Sequence, residues 1–224
     1  MMIRDAIRTT VRGVGVILLT VVEVTALSVW LGLVGDASLF STVAAVGIAA
    51  LSAGMLLEAL LAHVTVNGWG RPIPAQTVAV LALAETVLWV GWLAAVYWAD
   101  GVLGVVGAGL ALAIALVPRH TVGDNAVRGR DPLSSLVQRA TIGLAVLEAA
   151  GATAWLLVVS GTVAVPGWFV SLPVAGFSTN AVVGAGLLTV AVFARHLLAV
   201  RHALRANRAV RDTGWRSSRG TMKE

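Results

Sequence analysis

The chain has 224 residues, of which 58% are hydrophobic and 12% charged, with a formal net charge of +5. A water-soluble domain of this length would carry about a quarter charged residues, so the composition excludes an ordinary soluble fold and predicts an all-α integral membrane protein. There is no cysteine, which excludes disulfides, thiolate metal sites and cysteine nucleophiles.

A basic tail, residues 1–12, comes first and carries Arg4, Arg8 and Arg12. The apolar run 13–34 follows. It holds Glu23 near its middle and has no small-x-small cleavage site, so it reads as a retained helix and not a removable signal peptide. Five more runs approach the roughly 20 residues a span needs. They are 39–63, 75–98, 101–118, 137–160 and 181–201, which makes six transmembrane helices in a domain of residues 13–201. The connections "GDAS" and "WADGVL" are short enough to make helical hairpins of spans one and two and of spans three and four. The segment between spans five and six, "GTVAVPGWFVSLPVAGFSTN", is uncharged and broken by Pro166 and Pro173. It is expected to lie in the outer interface, with Trp168 and Phe169 at headgroup depth, or else to dip in as a re-entrant segment against protein.

Charge fixes the expected orientation. Arg71 lies in the second connection, and Arg119, Arg128 and Arg130 lie in the fourth. A second basic tail, residues 202–224, closes the chain. With six spans all of these fall on one side, and the other side carries only Asp36 and Asp100. The positive-inside rule then puts both termini in the cytoplasm, the membrane being the cell membrane. Along the last helix Arg201, Arg205, Arg208 and Arg211 form a basic stripe suited to anionic headgroups. Apart from Trp215 no aromatic residues interleave with it, and nucleic acid is not an expected partner.

Three odd-numbered spans share one pattern. "EVTALSVWL", "ETVLWVGWL" and "EAAGATAWL" each read E-x6-W-L, starting at Glu23, Glu85 and Glu148. The even spans echo one another more weakly: span four has "GAGLALAIALVPRH", span six has "GAGLLTVAVFARH", and span two ends in "LLEALLAH". A fixed period is the mark of repeated units. The units here would be three two-helix hairpins, about 13–63, 75–118 and 137–201, entering the membrane in the same direction about a pseudo-threefold axis.

A carboxylate at the centre of a span is costly, so Glu23, Glu85 and Glu148 should face the bundle interior. Each tryptophan, Trp30, Trp92 and Trp155, lies about two turns further out on the same face, as a pathway-lining or packing collar. No Lys or Arg is expected at their depth. Each acid would then be protonated, hydrated in a cavity, or holding a cation from outside the chain. Glu58, near the cytoplasmic end of span two, is a candidate inner mouth of a pathway. His63, His120 and His196 fall at the cytoplasmic ends of the even spans as a candidate titratable rim.

Catalytic patterns are missing. H-E-x-x-H, E-x-x-H, G-x-S-x-G, Walker A and the dinucleotide fingerprint do not occur, and the four histidines lie too near the boundary to hold haem between helices. The sequence leans against an enzyme, and no cofactor or metal is expected. Two functional readings remain. One is a transporter or channel for protons, cations or a small solute, with the glutamates as ion-handling groups. The other is a non-catalytic scaffold or accessory subunit, with the glutamates hydrogen-bonding between helices through groups such as Thr20, Thr25, Thr86 and the indoles. An oligomer is compatible with either.

Overall fold

The computed structural model describes the backbone of residues 2–35, 37–38, 41–167 and 176–220, and side chains between 9 and 206 within those ranges. Its regular structure is six α-helices: α1 (Met2–Val34), α2 (Thr42–Asn67), α3 (Ala75–Tyr97), α4 (Gly101–Val127), α5 (Arg139–Val159) and α6 (Thr179–Gly220). Each contains a stretch long and apolar enough to cross a membrane. Trp168 and Phe169, expected at the interface, lie outside the described residues.

Local chemistry explains the helix ends. The Ser41 hydroxyl accepts from the Ala44 amide at 3.1 Å and starts α2. Gly68, at φ 78°, ends it by donating its N–H to the Val64 carbonyl at 2.7 Å. Gly101, at φ 65°, makes the tight turn from α3 into α4 that "WADGVL" predicts.

One boundary differs from expectation, and it matters for the site. Span four was expected to stop at Pro118, but Pro118 is internal to α4, which continues to Val127. A proline is tolerated inside a membrane helix where its surroundings satisfy the freed backbone groups. Arg119 and His120 therefore belong to a helix and not to a loop. The last helix, α6, runs past Arg195 and Arg201, which places Arg195 within it.

Each helix packs against the next in chain order, and α6 returns to α1, closing a ring. Across the ring the near approaches are among α2, α4 and α6. The outer surface stays apolar, with Val80, Leu83, Val87, Leu110, Ile114 and Val190 all exposed, as a lipid-facing surface requires. Inside, Leu27, Leu51, Met55, Leu116, Leu188 and Val192 belong to one buried cluster.

Small residues let the backbones meet. A Cβ added to Gly54 would overlap the Cβ of Ala26, and one added to Gly151 would overlap that of Ala191. These contacts join α1 to α2 and α5 to α6 as small-residue packing between membrane helices does. Gly54→Ala is expected to destabilise the fold by about 1–3 kcal/mol through overpacking. Gly91→Ala, where an added Cβ meets nothing within 4 Å, should leave stability unchanged. Thermal unfolding of the two variants in one detergent checks this.

Candidate functional site: a buried ionic cluster

The three mid-span glutamates converge. Glu23, Glu85 and Glu148 are fully buried, and one carboxylate oxygen from each lies within 4.8 Å of the other two. This follows from their register on α1, α3 and α5. Each occupies the inward face beside small buried residues, Ala26, Ala82 and Ala152.

The expectation that no basic group reaches them is overturned. Arg119 of α4 pairs with Glu85, and Arg195 of α6 pairs with Glu23. The Nε of Arg195 also approaches Glu148 at 3.0 Å. Both arginines start from positions near the end of the apolar run. Their long side chains extend inward to the acids, the reverse of the usual snorkelling toward water. Burying both charges is tolerable because each has a partner of opposite sign.

Glu58 joins the cluster from α2. It stands 3.4 Å from Arg119, 3.5 Å from Arg195 and 3.3 Å from His196 Nε2. The histidines, expected as a rim, are buried instead, with His63 and His120 6% exposed and His196 2%. His120 Nε2 lies 3.0 Å from Glu148, and His196 Nε2 lies 3.2 Å from Glu23. His196 Nε2 is also 2.9 Å from an Arg195 nitrogen, so it accepts from Arg195 in one tautomer and donates to a carboxylate in the other. Four carboxylates thus meet two guanidiniums.

The cluster is not fully satisfied. Among the described residues, Glu23 Oε1, Glu85 Oε1 and Glu148 Oε1 are buried without hydrogen-bond partners, as are His63 Nε2 and His196 Nδ1. The three central carboxylates are close enough to share one metal ion, while Arg119 and Arg195 already face one oxygen of Glu85 and of Glu23.

A cavity of about 110 Å³ adjoins the cluster. Glu58, His63, Arg119, His120, Arg195 and His196, with Thr77 and Asp124, form its polar wall, and residues such as Ala59, Val66, Leu81 and Val200 form its apolar wall. It reaches the end of the bundle where α2 and α4 finish and α3 begins, since Val66, Pro74 and Val127 also line it. On the opposite side of the glutamates lie the tryptophans. Trp30, Trp92 and Trp155 are all buried there in the main apolar cluster, about 10 Å along their helices from the acids. Trp89, which the repeat pattern did not single out, packs edge-on against Trp92 with ring centroids 5.5 Å apart.

The partners expected for hydrogen-bonding glutamates are occupied elsewhere or absent. Thr20 and Thr86 donate to the carbonyls of Val16 and Ala82 in their own helices, and Thr25 is exposed. The indole nitrogens of Trp89 and Trp92 have no partner. Of the basic stripe, Arg201 and Arg205 are exposed, and the side chains of Arg208 and Arg211 lie outside the described residues.

Arg119 and Arg195 are the site residues that the sequence reading missed. Their signal was the dipeptide Arg-His, which ends the apolar part of both α4 and α6. Fold and site together define an α-helical multi-pass membrane protein with an ionic cluster buried inside its helix ring. Comparison with protein-family models, curated proteins and solved structures returns no match for this chain.

Proposed function

We propose that this protein is a small proton- or cation-handling transporter or channel of the cell membrane, with Glu23, Glu58, Glu85 and Glu148 as its ion-handling groups. One observation carries the reading. His196 Nε2 lies within 3.3 Å of Glu58 and 3.2 Å of Glu23, so an imidazole joins an acid on the cavity wall to an acid in the buried trio. A carboxylate, an imidazole and a second carboxylate in sequence are suited to passing a proton, because each group can both take and release one. Trp30, Trp92 and Trp155 form the constriction beyond. In this reading the cavity is cytoplasmic and both termini lie on that side, supported by the one-sided distribution of arginines. Arg201, Arg205, Arg208 and Arg211 then rest near anionic headgroups.

The ion pairs also support three repeated hairpins. Arg119 pairs with the glutamate of its own hairpin, Glu85, while His120 reaches the next glutamate, Glu148. Arg195 reaches its own Glu148, and His196 reaches the next around the ring, Glu23. The close approach of α2, α4 and α6 suits the same rotation.

The scaffold reading is favoured by a different observation: guanidiniums hold two of the acids directly, as they would in a cohesive core. Reconstitution separates the two. Liposomes loaded with a pH-sensitive dye should respond to an imposed proton gradient with the wild type, and Glu23→Gln should slow that response about tenfold or more. Absence of wild-type flux for protons, sodium and potassium would leave the scaffold.

A further inference from the structure

Arg119-His120 and Arg195-His196 occupy matching places on α4 and α6, and α2 carries Ala62-His63 there. All three pairs line the same cavity. The first hairpin therefore lacks the arginine that the other two possess. The consequences are visible. Glu23, without a guanidinium from its own hairpin, shares Arg195 with Glu148. His63 keeps Nε2 buried and unpartnered, where the pattern of His120 and His196 would bring it to a glutamate. Glu58, one turn before Ala62, fills part of the gap with a fourth carboxylate where a cation would complete the set.

We propose that the cavity beside Ala62 binds a small organic cation of the guanidinium class, which takes the place of the missing third arginine. The proposal rests on the reading of three hairpins with ion-handling glutamates and names the ligand class of that site. Glu58 has capacity to accept it. Its contacts to Arg119, Arg195 and His196 are all 3.3–3.5 Å, at the long end of hydrogen bonding. A planar guanidinium matches a carboxylate with two parallel N–H donors, which a spherical alkali ion cannot do. His63, on the same cavity wall, adds no second cation: its Nδ1 faces the Asn67 amide nitrogen at 3.5 Å and so acts as the acceptor of a neutral ring. Ala59, Ala62 and Val200 give the rest of the wall an apolar character that accommodates a short alkyl substituent. An arriving cation also brings positive charge to a cluster in which carboxylates outnumber guanidiniums.

The experiment uses the purified full chain in detergent with methylguanidinium chloride, and with N-methylurea and potassium chloride as neutral and inorganic counterparts. Methylguanidinium at millimolar concentration should raise the unfolding temperature, and the two counterparts should not. Ala62→Arg supplies the missing guanidinium from within and should abolish the shift. Glu58→Gln removes the accepting charge without filling the cavity and should weaken methylguanidinium binding about tenfold or more. Equal effects of the three solutes on the wild type would overturn the proposal, as would undiminished binding by either variant. Dye-monitored proton flux, measured separately without organic cation, keeps the two failures apart. Flux without methylguanidinium binding sinks the ligand assignment alone, and binding without any ion flux sinks the transport reading while the site stands.

Discussion

Arg195→Met is expected to destabilise the protein more than any other single substitution in the cluster, by about 3–5 kcal/mol, the usual consequence of breaking a buried ion pair from one side. Arg195 is 3% exposed and serves two of the fully buried acids at once, Glu23 through a terminal nitrogen and Glu148 through Nε. Methionine fills a similar length without charge, so both carboxylates would be left in a low-dielectric interior with only His196 and His120 beside them. Lysine is not an adequate replacement, because one ammonium cannot span two carboxylates as a forked guanidinium does. The triple variant Arg195→Met, Glu23→Gln, Glu148→Gln should recover much of the loss, since it removes the stranded charges along with their partner. Unfolding temperatures of the wild type, single and triple variants in one detergent test this. A single variant as stable as the wild type would mean that Glu23 and Glu148 need no cation, and would remove the physical basis for treating the cluster as ionic.

That prediction rests on contacts that were only half legible in the sequence. The glutamates were readable, because a mid-span acid has few places to go and three at one period imply a shared interior. Their tryptophans were readable for the same reason, by turn counting along a helix. The arginines were not, and the cause is geometric. Arg119 follows Pro118, which looks like a helix stop, and Arg195 stands where the apolar pattern begins to fade. Hydropathy reports where a Cα sits and is silent about which way a long side chain turns. Four acids in the interior reverse the customary outward direction, and only the helix register in three dimensions makes that visible. The expected Thr partners failed for a local reason: Thr20 and Thr86 satisfy their hydroxyls within their own helices, one turn back, which costs no tertiary arrangement.

Glu58→Gln should abolish most proton flux, by about tenfold or more, while leaving the fold intact. Two features separate its function from its structural role. Its ionic contacts are the longest in the cluster, and although Arg119 and Arg195 face different oxygens of Glu58, the amide oxygen can still accept from one of them. Removing one of four negative charges also lessens the excess over two guanidiniums, so stability should hold or rise. Proton handling does not survive the change, because an amide neither takes nor releases a proton near neutral pH. His196 would then have no titratable partner on the cavity wall, and Glu23 would lose its route to it. Glu58→Asp, which keeps the carboxylate on a shorter stem, should retain measurable flux. The comparison needs dye-loaded liposomes containing equal amounts of wild type, Glu58→Gln and Glu58→Asp, with unfolding temperatures taken on the same preparations. Undiminished flux through a stably folded Glu58→Gln would exclude Glu58 from the pathway. Lost stability in that variant would instead assign Glu58 to the cohesive core that the scaffold reading requires.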